Sequence, residues 1–187
     1  QGKSVEQILE VNASAIAPGA EKLLCLPYWS GAMTPYWDGY ARGAFVGLSG
    51  LHGKAHMYRA ILEGIALEQR FLTEGVEKAT AAPINEILML GGGSSSPLWC
   101  QIIADVMGRK VKLVREQETT SLGAGIHAAT AAGFYPNLLK AADSMTGIER
   151  EYEPHDDFHS AYNSLFAAYC SLYPNLKASF SLLGKAD

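Results

Sequence analysis

Apolar positions along the chain change period several times, and each change marks an element. Ser4 to Ala15 carries a weak helical period, with Val5, Ile8, Leu9 and Val11 on one face. Pro18 and Gly19 break it. Leu23 to Tyr28 is a short apolar run that predicts a buried strand. Trp29 to Tyr40 sets four aromatics (Trp29, Tyr36, Trp37, Tyr40) among Gly31, Pro35, Asp38 and Gly39, which predicts an anchored loop. Gly43 to Leu48 predicts a second strand. From about Gly53 to Thr80 the residues Met57, Ala60, Ile61, Gly64, Ile65 and Leu67 to Phe71 recur at three-and-four spacing. That is a long amphipathic helix, stopped by Pro83.

The second half alternates more tightly. Ile84 to Leu90 is a near-continuous apolar run that predicts a strand, and three glycines and three serines follow it at once. Pro97 suits the first turn of a helix over Leu98 to Met107, with Ile102, Ile103 and Val106 on one face and Gly108 as its stop. Lys110 to Arg115 alternates as a strand. Thr119 to Ala132 reads as a helix of small residues ended at Gly133. Further helices are expected near Leu138 to Met145 and from about Pro154 to Leu172, with Pro174 interrupting the latter before a last short helical segment. Strands alternating with helices imply an α/β layered domain with a partly parallel sheet. No internal repeat and no low-complexity linker divides the chain.

Composition narrows the class. The chain has 187 residues, 48% apolar and 18% charged, with a formal net charge of -4. This is the balance of a globular protein rather than a disordered one. A chain of this length buries roughly 70% of its unfolded surface and needs no disulfide or metal staple. Cys25, Cys100 and Cys170 are too widely spaced for a metal pair and suit a reducing compartment, so a cytoplasmic location is expected. The absence of a basic block argues against a nucleic-acid partner. No apolar run approaches the roughly 18 residues of a membrane span, and the first residues lack the pattern of a signal peptide.

The strongest local chemistry lies in Leu88-Met89-Leu90-Gly91-Gly92-Gly93-Ser94-Ser95-Ser96-Pro97. A buried strand runs into a glycine turn and then into a helix N-terminus. Glycines let backbone approach a ligand closely. Free N–H groups and the positive end of a helix dipole suit phosphate or ribose oxygens. The same residues also fit a plain strand–helix turn with Ser96 as N-cap. The standard phosphate fingerprints fail: Gly53-Lys54 is followed by Ala55 rather than Ser or Thr, and Gly91-Gly92-Gly93 lacks the later glycine of a dinucleotide turn. Gly123-x-Gly125 leads to the permitted Ala128 but lies inside a predicted helix. His52 and His56, like His155 and His159, are four apart, yet neither pair forms H-E-x-x-H and no cysteine is near. Asp105 reads as a surface or capping carboxylate, and Arg59 with Glu63 as a four-spaced helix pair worth about 0.2–0.5 kcal/mol. Cys100 has no evident base and is not assigned as a nucleophile.

Taken together, several ordered motifs resemble the FGGY carbohydrate kinases. Gly43-Ala44-Phe45-Val46-Gly47-Leu48, a seven-residue spacer and His56-Met57-x-x-Ala60-Ile61-Leu62-Glu63 are similar to the family's C-terminal signature. Tyr36-Trp37-Asp38 and Ala41-Arg42-Gly43 resemble its lead-in. Gly91-Gly92-Gly93-Ser94-x-Ser96-x-x-Trp99-x-Gln101-x-x-Ala104-Asp105 is similar to its adenosine motif, and Ser121-Leu122-Gly123-Ala124-Gly125 to its small-residue helix. The resemblance runs from about Leu9 to Leu172.

What the resemblance implies is a ribonuclease H-like, actin-like ATPase domain, a layered α/β/α fold with a mixed sheet, lacking its first strands. Residues 1–187 would be the C-terminal ATP-binding portion of an FGGY kinase, with the N-terminal sugar-binding domain absent from this chain. An unpaired sheet edge is then expected, to be covered by another segment or subunit. By position, Gly92 and Ser96 would contact nucleotide, Gly91 and Gly93 would shape the turn, and Ser94 lies within it. Relatives often have Asn where Ser96 stands, and Pro97 departs from one common variant. The family's catalytic aspartate lies upstream of anything here, so no catalytic residue is assigned. ATP and Mg2+ are implied cofactors. ATP or ADP and a sugar or polyol, held mainly by the missing domain, are implied partners, and a homodimer is compatible. Pro27-Tyr28-Trp29-Ser30-Gly31 with Thr34-Pro35 resembles the xylulokinase-like branch, which favours a ketopentose such as xylulose over glycerol, gluconate or ribulose. The alternatives are a non-catalytic actin-like nucleotide- or partner-binding module and, disfavoured by the failed fingerprint, a dinucleotide dehydrogenase.

Overall fold

A computed structural model describes residues 4–116 and 118–185. Helix α1 (Val5–Ser14) opens on a capping box: Ser4 Oγ accepts from the Gln7 N–H, and the Gln7 side chain accepts from the Ser4 N–H. The apolar face expected of α1 is not the face it buries. Val5, Ile8 and Val11 are exposed, and Ala13 is buried. A small residue there lets α1 approach the next long helix closely enough for a guanidinium to reach its last carbonyls.

A 3-10 turn at Ala20–Lys22 leads into β1 (Leu24–Leu26), which pairs antiparallel with β2 (Ala44–Val46). The aromatic loop between them is anchored as expected: Tyr36 stacks on Tyr173, and the Tyr173 hydroxyl donates to Asp38 Oδ2 at 2.8 Å. Helix α2 (Lys54–Thr80) crosses the back of β1 at Gly64, where a Cβ would lie 2.2 Å from the Cys25 carbonyl oxygen. Only glycine permits that approach.

The remaining elements are β3 (Glu86–Met89), α3 (Pro97–Met107), β4 (Lys110–Val114), α4 (Thr119–Ala131), α5 (Leu138–Met145), β5 (Ile148–Tyr152) and α6 (Asp156–Leu183). They build a mixed sheet in the order β3-β4-β5, with β3 parallel to β4 and β5 antiparallel to β4. Strand β5 has no forerunner in the sequence reading. Its Glu149, Arg150 and Glu151 are exposed, so no apolar alternation marks it. Helix α6 runs unbroken through Pro174, contrary to expectation. Buried Tyr162, Tyr169, Leu172, Tyr173 and Phe180 lie on both sides of the proline, so packing outweighs the lost hydrogen bond.

One sheet face turns Val111 and Leu113 toward α3, whose Ile102, Ile103 and Val106 are buried against it. The other face carries Leu88, Val114 and Ile148 toward α4. This is the layered α/β arrangement with a mixed sheet. Among the described residues no strand pairs with the outer edge of β3, and Leu88 there is 54% exposed. No described helix is long and apolar enough to cross a membrane.

The Arg59–Glu63 pair is not the surface pair its spacing suggested. Both residues are buried. Glu63 Oε1 accepts from Arg59 Nε at 2.7 Å, from the Tyr162 hydroxyl at 2.7 Å and from the Gly19 N–H at 2.9 Å. Arg59 Nη1 donates to the carbonyls of Ala13 and Ile16, and Nη2 to the Tyr162 hydroxyl. Burial pushes the Glu63 carboxyl up, against the pull of Arg59, Tyr162 and the Gly19 N–H. The cluster fastens α1, the turn after it, α2 and α6 to one another.

Candidate nucleotide site

The glycine–serine segment sits at the C-terminal end of β3, where α/β sheets commonly receive ligands. Gly91 adopts φ +80°, a left-handed value, and Gly92–Ser95 forms a 3-10 turn before α3 begins. A Cβ built on Gly91 or Gly92 would meet nothing within 4 Å. These two glycines therefore present bare backbone to open space. Gly93 differs. Its Cβ would strike the Trp99 ring at 2.2 Å, so that glycine serves packing against α3.

The serines divide their roles. Ser94 is buried, and its hydroxyl donates to the Gly91 carbonyl at 2.7 Å. Ser95 Oγ donates in the same way to Gly92. Both tighten the turn. Ser96 is the N-cap of α3: its Oγ accepts from the Trp99 N–H at 3.1 Å and donates to Glu10 Oε1 at 2.6 Å. Of the five residues named from sequence, Gly91 and Gly92 face outward, Gly93 and Ser94 face inward, and Ser96 stands at the helix entrance holding Glu10. Glu10 was not singled out by sequence, and at a separation of 86 positions from Ser96 no local signal marks it.

Beside the turn lies an apolar cleft of about 360 Å3. Leu88, Leu90 and Val114 line the sheet side, Leu122 and Ile126 the α4 side, and Gly147 and Ile148 also contribute. Its apolar walls suit a weakly polar group.

The other candidates resolve into structural roles. His52 Nδ1 accepts from the Ser49 N–H, and His56 Nδ1 from the Gly53 N–H. His155 lies 3.1 Å from Asp105 Oδ1, and His159 Nδ1 lies 2.9 Å from the Asp105 carbonyl oxygen. Asp105 is 3% exposed and takes the His155 N–H at the start of α6, so it caps, but from within the core. Among the described residues no three His, Cys, Asp or Glu side chains gather as a metal site. Cys100 is buried, and burial pushes its thiol up to about 11, which removes it as a nucleophile at neutral pH.

The site is thus an open glycine turn at a strand end with an apolar cleft near it, in an α/β domain. The sequence profile of the C-terminal domain of the FGGY family of carbohydrate kinases matches residues 2–132. The chain belongs to that family and corresponds to its C-terminal domain. It is 32% identical over 177 residues to a xylulose kinase of Staphylococcus epidermidis, covering 95% of this chain and 35% of that protein. A glycerol kinase of Aromatoleum aromaticum is 37% identical over 141 residues, covering 75% of this chain and 28% of that protein. Among solved structures, a ligand-bound xylulose kinase of Lactobacillus acidophilus superposes with a TM-score of 0.85 at 29% identity, over 96% of this chain and 36% of that one. A gluconate kinase of the same organism gives 0.84, also at 29% identity, over 98% of this chain and 37% of that one. The chain thus spans about a third of the length of these kinases.

Proposed function

We propose that this chain supplies the nucleotide-binding wall of a kinase that moves the γ-phosphate of ATP to a hydroxyl of a sugar or polyol. The observation that carries the reading is the open Gly91–Gly92 backbone at the end of β3, set against the apolar cleft. Bare backbone there admits the ribose and inner phosphate of a nucleotide, and the cleft admits the base. Gly93, Ser94 and Ser96 hold the turn in that shape.

Phosphoryl transfer depends on positioning and on charge stabilisation in a closed cleft. This chain's part is to bind and orient ATP and to exclude water from one side. The general base and most sugar contacts belong to the rest of the kinase. The outer edge of β3, unpaired among the described residues, supports a segment of that remainder lying against it. Mg2+, implied by the family, would be held chiefly by the ATP phosphates; among the described residues no three His, Cys, Asp or Glu side chains gather to hold it. We assign the kinase to the cytoplasm, in keeping with its free thiols.

A ketopentose such as xylulose is the favoured substrate, on the likeness to xylulose kinases over nearly the whole chain. The test is phosphorylation by the full-length protein across xylulose, ribulose, glycerol and gluconate, with and without Gly92→Asp. Preference for xylulose, abolished by the substitution, is expected. Unchanged turnover in Gly92→Asp would remove the turn from the site, and preference for another acceptor would reassign the substrate.

A further inference from the structure

The first turn of α3 has no backbone donor to spare. Pro97, its first residue, carries no N–H. The Leu98 N–H reaches Glu10 Oε1 at 3.4 Å, the Trp99 N–H reaches Ser96 Oγ at 3.1 Å, and the Cys100 N–H reaches the Ser96 carbonyl at 3.0 Å. The Ser96 hydroxyl donates to the same Glu10 oxygen at 2.6 Å, the length of a charge-assisted bond. A helix N-terminus with free N–H groups suits an anion such as phosphate, through those groups and the positive end of its dipole. Here a half-buried carboxylate from α1 already occupies that place.

We propose that Glu10 is a specificity-determining positioning residue of the nucleotide turn. Its carboxylate fills the N-terminus of α3, fixes the Ser96 hydroxyl and repels phosphate from the helix. The turn therefore takes the nucleoside half of the ligand on its Gly91–Gly92 side, and the outer phosphates run away from α3. This inference rests on the nucleotide reading given above. It adds a residue from the opposite end of the chain, and a reason why this strand–helix turn does not hold a terminal phosphate.

A purely structural role would be felt equally by every ligand. An electrostatic role changes the balance between charged and uncharged ones. Removing the charge while keeping the shape, with Glu10→Gln, leaves an oxygen able to accept from Ser96. Inverting it, with Glu10→Lys, pushes the balance further in the same direction.

The test measures binding of adenosine, ADP and pyrophosphate to the full-length protein by calorimetry, for the unsubstituted protein and both variants, with thermal melts to check folding. The expected result is an ADP-to-adenosine affinity ratio that rises on the order of threefold in Glu10→Gln and further in Glu10→Lys. Pyrophosphate binding should strengthen in the same order. An unchanged ratio in folded Glu10→Gln overturns the role of Glu10 and leaves the nucleotide reading standing. Binding of neither adenosine nor ADP by the unsubstituted protein overturns the nucleotide reading and this inference with it. Glu10→Gln is nearly isosteric, so it carries the test even if Glu10→Lys does not fold.

Discussion

The hydroxyl of Tyr162 donates to the carboxylate of Glu63 at 2.7 Å, joining α6 to α2 across 99 residues of chain. Arg59 and the Gly19 N–H converge on the same oxygen. Glu63→Ala strands a buried guanidinium and should destabilise the protein by about 3–5 kcal/mol in denaturant titration. Tyr162→Phe removes one donor of three and should cost less, about 1.5–3 kcal/mol. Equal losses in the two variants would mean that Glu63 is not the hub of the cluster.

The glycines of the nucleotide turn should separate into two kinds. Gly92→Asp meets open space and should leave the melting temperature nearly unchanged while abolishing ATP binding, because it sets a negative charge at the ligand face. Gly93→Ala drives a methyl group into Trp99 and should lower stability by about 1–3 kcal/mol. Calorimetric binding beside thermal melts, both on the full-length protein, decides the matter. The assignment fails if Gly92→Asp binds ATP normally.

Glu68 gives a pH signature. It accepts from the hydroxyls of Tyr28 and Tyr169, yet burial still pushes its carboxyl above the ordinary value. The folded protein therefore holds this proton to higher pH than the unfolded chain does. The Glu68 contribution is most favourable below the unfolded value and is lost as pH rises through the folded one. Glu68→Gln keeps an acceptor for both tyrosines and should be more stable than the parent at pH 7, with the gain vanishing near about pH 4. A stability gain that persists undiminished at low pH would contradict this account.

The open edge of β3 should govern how the 187 residues behave alone. An unpaired strand with an exposed Leu88 is a template for another chain. Sedimentation should show concentration-dependent association of the isolated chain, reduced by Leu88→Lys. A sample that stays monomeric at every concentration would count against it.

Local punctuation made much of this fold readable. Pro97 and Gly108 bracket α3 as expected, and α2, β4 and α5 fall within a residue or so of their predicted bounds, because each carries its own period and its own stop. Strand β5 escaped because an exposed, charged strand has no apolar rhythm of its own. It exists through pairing with β4. The break expected at Pro174 failed for the complementary reason: burial along α6 overrides a local rule. At the site, Gly92 was expected at the ligand face and does present open backbone, whereas Gly91, expected only to shape the turn, is open as well. Gly93 has the structural role expected of it, but its partner could not be read, since the Trp99 ring it packs against is oriented by tertiary packing. Neither Glu10 beside Ser96 nor the depth of the Arg59–Glu63 pair could be read, because i,i+4 spacing says nothing of which side of a helix is covered.

That cluster has a consequence for how such chains are recognised. Glu63 closes the stretch of α2 by which the family resemblance is most easily seen, and Arg59 stands within it, yet both are buried and spent on joinery. A lineage could change its glycine turn and still keep this pair, because the pair joins three helices and a turn. The signature therefore certifies ancestry and architecture. Whether a bearer still works as a kinase is a separate question, which the pair does not answer.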